Sequence, residues 1–387
     1  MPRLLILFSL ANLVLGTAVF VVTGILPLIA EGLGVGVAAA GQSVTVYALS
    51  TALLAPLMLV LTGQWRRKQV LLMGLALMTL GCAVCATAAD LTTLLIGRAV
   101  MGAGAVFTPV AAGIAVASVE PARRGQALAI VFMGISLSYV IGLPLGVWLG
   151  YGYGWRAPLW ALAALVAVVA VAVAVWVPAQ TSSPGASFKG LSNVARRPDV
   201  VAVLALTLCY FTAIFMVFSY IGPVLQALVP MSSGRLSLTL MLFGLAGMAG
   251  TLLGGAANDR FGPRRTLFTL LSVLGCSMLL LPFTAGHWGP MVAVLLVWAT
   301  AGFGMIAPQQ ARLATLVPSQ APMLLSLNSS MLFLGTALGA AIAGALASQL
   351  GFSRLSWVGA GFAALGLVVL ATTSTLRGAA TDLKPSR

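Results

Sequence analysis

The sequence predicts an all-α membrane protein, with twelve transmembrane helices in two pseudo-symmetric six-helix bundles. Three observations predict it. The chain has 387 residues, is 60% hydrophobic and 7% charged, and has a mean hydropathy of +1.09. Soluble domains carry about 25% charged residues, so a water-soluble fold is excluded. The apolar residues gather into twelve runs, and a helix needs roughly 20 of them to cross about 30 Å of hydrocarbon. Finally, a polar, turn-rich stretch at 179–198 divides those runs six and six; it contains Ser182, Ser183, Pro184, Gly185, Lys189, Arg196, Arg197 and Pro198.

The first run, 4–28, follows Met1-Pro2-Arg3. It imitates a signal peptide but is too long for an h-region and ends in no small-x-small site, so it reads as span one. Run 41–63 stops before Arg66-Arg67-Lys68, and runs 69–88 and 91–117 flank Asp90. Run 126–149 follows Arg123-Arg124, and run 157–178 follows Arg156. Beyond the linker come 200–227, 236–257, 266–284, 290–316, 323–349 and 354–376. The expected domains are an N-terminal bundle at 1–178, a cytoplasmic linker at 179–198, and a C-terminal bundle with a short tail at 199–387. The halves resemble each other weakly at an offset near 200 residues. Arg66-Arg67 after span two answers Arg264-Arg265 after span eight, and both spans five and eleven are rich in glycine.

Twenty Lys and Arg against six Asp and Glu give a net charge of +14. Such a balance fits nucleic-acid binding, but the placement argues for topology instead. Fifteen basic residues fall on one side of the expected topology, three on the other (Arg156, Arg235, Arg354), and two, Arg98 and Arg312, within runs. The positive-inside rule puts both termini in the cytoplasm. No nucleic-acid partner and no cofactor or metal is expected; the partners are the lipid bilayer and a small-molecule substrate, and the chain is expected to be a monomer. The four cysteines lie within spans, so Cys82-Ala-Val-Cys85 reads as packing.

The loop at 254–265 is the most informative stretch. It has the form G-x-x-x-D-R-x-G-x-R-R through Gly255, Asp259, Arg260, Gly262, Arg264 and Arg265. Arg98-Ala-Val-Met-Gly102-Ala-Gly104 lies in span four, and Gly142, Pro144 and Gly146 cluster in span five. Together these resemble the signatures of the major facilitator superfamily of secondary transporters. With Leu26-Pro27 through Tyr47 they resemble its bacterial drug:proton antiporter branch, which includes sugar and nucleoside effluxers. The resemblance implies the major facilitator fold, a bacterial inner-membrane location, and alternating access around a substrate held near the midplane.

The resemblance also implies roles. Asp259, Arg260, Arg264 and Arg265 would form a gate, Asp259 pairing with a helix N-terminus or a loop arginine in one state. Gly142, Pro144 and Gly146 read equally as close packing or as a bendable gate. Inner-span residues imply a binding cavity: Tyr47, Arg98, Tyr139, Tyr210, Phe215, Trp298, Gln309, Gln310 and Asn328, with Thr17, Phe20, Ser136, Phe211, Tyr220 and Ser329 as further candidates. The mixture points to an uncharged or mildly polar organic solute.

The chain departs from the pattern at two places. The loop after span two, Thr62 to Lys68, keeps the basic residues but has no acid, and Val19 stands where relatives carry a carboxylate in span one. No acid lies deep in a run, so the usual intramembrane proton carrier is absent. Arg98 is the one deep charge, and it reads either as a substrate or water contact or as a staple between spans one and four. Export by a secondary transporter is therefore expected. A facilitator, a transporter driven by another ion, and a transporter-like sensor stay open. A membrane enzyme is excluded, for the runs hold no catalytic carboxylate, and the one histidine, His287, sits in a short loop.

Overall fold

The computed structural model describes residues 2–120, 123–178, 197–316 and 320–382. Among them are twelve helices long and apolar enough to cross a membrane: Arg3–Leu33, Val37–Leu61, Arg67–Thr87, Leu91–Ala117, Arg124–Tyr153, Arg156–Trp176, Pro198–Phe218, Ser233–Phe261, Pro263–Thr284, Trp288–Leu316, Met323–Leu350 and Phe352–Thr372. They are spans one to twelve. No described residue is in a β-strand. Most of the 179–198 linker lies outside the described residues.

Three spans are not the uninterrupted helices their hydropathy suggests, and proline accounts for each. Its ring collides with the carbonyl four residues back and it lacks an N–H. Span four stops at Gly104 and resumes at Phe107, with Pro109 just beyond. Span ten stops at Gly304 and resumes at Ile306, with Pro308 just beyond. In span five, a π-turn at Ser138–Gly142 precedes Pro144; such bulges open the helix where its regular ladder is interrupted. The run expected at 200–227 is two pieces. Span seven ends at Phe218, and a separate helix, Ile221–Leu228, begins just before Pro223.

The described chain forms two compact units. The first holds spans one to six together with Tyr220–Gln226 and Pro230–Leu245. Its packing centres on spans one and five. A β-carbon at Gly134 would strike the Ser9 carbonyl, one at Gly142 the Thr17 side chain, and one at Gly146 the Val21 side chain. Glycine at these places lets the two backbones approach where lipid supplies no hydrophobic drive for association. The Tyr220 hydroxyl donates to the Ala38 carbonyl at 3.1 Å in this unit, and its ring lies against Gly41.

The second unit holds spans seven, nine, ten, eleven and twelve, with span eight from Ala246 onward. Span eleven presses Gly335 and Gly339 against the span-seven backbone, and Gly254 meets the Gly304 carbonyl at the break in span ten. Large apolar side chains stay exposed, among them Tyr153, Val175, Leu252 and Phe283. That surface suits contact with hydrocarbon chains.

Candidate binding and gating site

In the first unit, Arg98 is fully buried. Its guanidinium offers five N–H donors and no acceptor. Nε donates to Ser43 O at 3.2 Å, one terminal nitrogen to Ala18 O at 3.2 Å, and the other to Val19 O at 3.0 Å. A longer contact reaches the Met101 sulfur at 3.8 Å, and the guanidinium carbon lies 4.7 Å from the centre of the Tyr47 ring. Arg98 thus ties span four to the backbones of spans one and two. The side chain at Val19 is apolar, and its backbone carbonyl serves as one of the three acceptors.

Tyr139 is buried and stacks on Phe20, with ring centres 4.5 Å apart. Gly142 and Gly146 lie along the face that meets span one, and Pro144 between them is buried too. A polar knot that the sequence reading missed lies nearby. Asn12 of span one is fully buried; its Nδ2 donates to Val131 O of span five at 3.0 Å, and its Oδ1 accepts from the Thr108 hydroxyl of span four at 2.8 Å.

In the second unit, Gln309 and Asn328 meet through Thr207. Gln309 Nε2 donates to Val203 O at 2.7 Å and to Thr207 Oγ1 at 2.8 Å. The Thr207 hydroxyl donates onward to Asn328 Oδ1 at 2.6 Å. Thr207 was the other residue missed; Asn12 carried a signal, as an amide within an apolar run. Tyr210 and Phe215 are buried on the same span, and Phe211 lies between them in an aromatic row at 5.0 and 5.7 Å. Trp298 is buried, whereas Gln310 is exposed and does not join the cluster.

The basic loop has a sharp geometry. Gly262 takes φ +80, a conformation that side chains resist, and it turns span eight into span nine. Asp259, Arg260, Arg264 and Arg265 are all exposed. Asp259 accepts a hydrogen bond from Asn258 Nδ2 at 3.2 Å and has no basic partner among the described residues. Gly255 faces open space, and the close approach to span ten belongs to its neighbour Gly254. Of the other acids with described side chains, Asp90 caps span four through Thr93 N at 2.8 Å, Asp199 pairs with Arg197 at 2.7 Å, and Glu31 and Glu120 are exposed. None is buried. Among the described residues, no group of three His, Cys, Asp or Glu is placed to hold a metal ion.

The two units repeat one another at their broken spans. Arg98, Gly102 and Gly104 stand 200 positions before Trp298, Gly302 and Gly304. Comparison with known proteins extends this picture over the whole chain. The model of the Major Facilitator Superfamily matches residues 8–317 and 229–385. The chain is similar to the inner membrane transport protein YdhP of Escherichia coli K12, 34% identical over 92% of each chain. It is also similar to the uncharacterized MFS-type transporter YbcL of Bacillus subtilis, 28% identical over 96% of this chain and 94% of that one. In solved structures its fold matches a bacterial homologue of the human lysosomal transporter Spinster, with TM-score 0.80 at 15% identity and 97% coverage of both chains. It also matches the human organic anion transporter MFSD10, with TM-score 0.69 at 17% identity, covering 95% of this chain and 99% of that one.

Proposed function

The chain belongs to the Major Facilitator Superfamily, and from that premise we propose that this secondary transporter of small molecules, working by alternating access, exports drug-, sugar- or nucleoside-like solutes across the bacterial inner membrane. It is not an enzyme. The observation that carries the substrate class is the interior itself. Arg98, the one fully buried charge among the described residues, is occupied by backbone carbonyls, and no acid with a described side chain is buried. A strongly cationic solute would have no counter-charge there, and an unpaired buried charge is costly. Neutral, hydrogen-bonding solutes suit the remaining groups: Tyr47, Tyr139, Tyr210, Gln309 and Asn328, beside Phe215 and Trp298. Gln310, exposed, contributes least to this reading.

Gating falls to the loop after span eight and to the glycine–proline turn of span five. Among the described residues Asp259 has no basic partner; in the alternate state it takes one. Gly142 and Gly146 let span five slide against span one, and Pro144 holds the π-turn open. A second reading, facilitated diffusion or coupling to an ion other than the proton, is favoured by the absence of a buried carboxylate, since proton carriers in membranes are ionisable groups along the path. Reconstitution decides between the two. The protein in liposomes is offered labelled sugars, nucleosides and a lipophilic cation, with and without a pH gradient. Flux driven by the gradient supports proton-coupled export; flux indifferent to it supports the second reading.

A further inference from the structure

We propose that the side-chain carbonyl of Gln309, held in place by Thr207 and Val203, is a subsite that accepts a hydrogen bond from a hydroxyl or neutral N–H of the transported solute. This rests on the transporter reading above and narrows its substrate to neutral, donor-bearing molecules. Gln309 is fully buried, and its Oε1 has no hydrogen-bond donor among the described residues. A buried acceptor left unmade is unfavourable, and native structures rarely keep one without a reason.

The amide cannot relieve this by turning over. Its Nε2 already gives one hydrogen to Val203 O at 2.7 Å and the other to Thr207 Oγ1 at 2.8 Å. A flip would bring Oε1 against the Val203 carbonyl, placing acceptor on acceptor. Thr207 in turn spends its hydroxyl hydrogen on Asn328. The relay therefore runs in one direction and leaves the Gln309 carbonyl as its free end.

The scaffold does not demand this orphan. The matching knot in the first unit is complete, because Asn12 uses both ends of its amide, on Thr108 and Val131. A second unpartnered group lies close by in sequence and on the same helix face. Tyr210 is one turn beyond Thr207, fully buried, and its hydroxyl also lacks a partner. The members of the relay, Thr207, Gln309 and Asn328, are buried and neutral, which suits a neutral group. Gln309 sits just past the break at Gly304–Ile306; interrupted membrane helices are where transporters hold their cargo, and the break is the point about which the segment bearing Gln309 can tilt to admit it.

The test uses the full chain in liposomes, with uridine and L-arabinose, each beside its monodeoxy analogues, and with tetraphenylphosphonium as a cation that has no donor. The wild type is expected to move a hydroxylated probe and to disfavour one deoxy analogue by about tenfold or more. Gln309→Met should bring that preference to within about twofold by weakening the parent probe alone. Thr207→Val should erode it and Thr207→Ser should keep it, which separates the subsite from a general defect in folding. Unchanged discrimination in both Gln309→Met and Thr207→Val overturns the subsite, and is the result expected if only an internal water occupies it. A wild type that moves tetraphenylphosphonium but no hydroxylated probe overturns the subsite and leaves the transporter reading standing. Flux of no probe at all overturns both.

Discussion

In the first unit, Asn12 on span one joins the Thr108 hydroxyl of span four to the Val131 carbonyl of span five. In the second, Thr207 on span seven joins Gln309 of span ten to Asn328 of span eleven. The spans are the repeat equivalents of one another, and in each unit the polar tie grips the segment just beyond a proline-broken helix. The residue types, however, have been exchanged. An amide occupies the middle of one knot and a hydroxyl the middle of the other. Each unit thus carries a polar tie in which a side-chain amide donates to the backbone carbonyl of a neighbouring span. The fold leaves open which residues supply the tie. The first knot closes on itself, and the second ends in a free acceptor.

The same pair of spans separates further at their centres. Arg98 faces three backbone carbonyls, and Trp298 stands at the corresponding position of span ten. Hydrogen bonds from a cation cross the first half here, while a buried aromatic side chain occupies the corresponding place in the second. Among the described residues the fully buried cation, Arg98, lies in the first repeat, and Asp259 with its exposed arginines lies in the second.

The largest effect should come from breaking the charged half. Arg98→Leu removes three charge-assisted bonds to backbone and is expected to lower resistance to denaturant unfolding by about 3 kcal/mol or more. Next comes the span one–span five seam. Gly142→Val drives a β-carbon into Thr17 and should cost about 1–3 kcal/mol, read as a lower thermal midpoint of the purified protein. The two knots should then differ. Asn12→Leu cuts two interhelical hydrogen bonds and is expected to cost about 1–2 kcal/mol. Gln309→Leu also cuts two, but it removes the unpartnered acceptor as well, and should cost less than about 1 kcal/mol. Equal losses in parallel unfolding curves would erase the contrast between closed and open knots. The smallest effect falls on the loop. Asp259→Asn should leave stability within about 0.5 kcal/mol, since its side chain is exposed, while reducing flux in liposomes.

How far the sequence reveals these features depends on the kind of partner involved. Arg98 stands out as the one deep charge, yet its partners are the carbonyls of Ala18, Val19 and Ser43. Every residue has a carbonyl, so no letter in the sequence marks them. Thr207 is hidden for a different reason. Most threonines in these spans return their hydroxyl to their own helix, as Thr17 does to Leu13 and Thr212 to Leu208. Nothing local says that Thr207 reaches across instead. Gly254 and Gly255 are adjacent and chemically identical, but helix phase turns one toward span ten and the other toward open space. The breaks after Gly104 and Gly304 have their prolines in plain view. Hydropathy reads through them because it records what side chains prefer as solvent and is blind to backbone geometry.

Sequence by itself determined the solvent, the number of spans and the family, because each follows from composition, periodic spacing or a loop whose turn needs particular residues. Tertiary structure alone decided which buried polar groups meet, which of them are satisfied, and which are left over. Those outcomes depend on distances of a few ångströms between atoms from spans about a hundred residues apart, and a hydrogen bond exists only where such atoms are brought together.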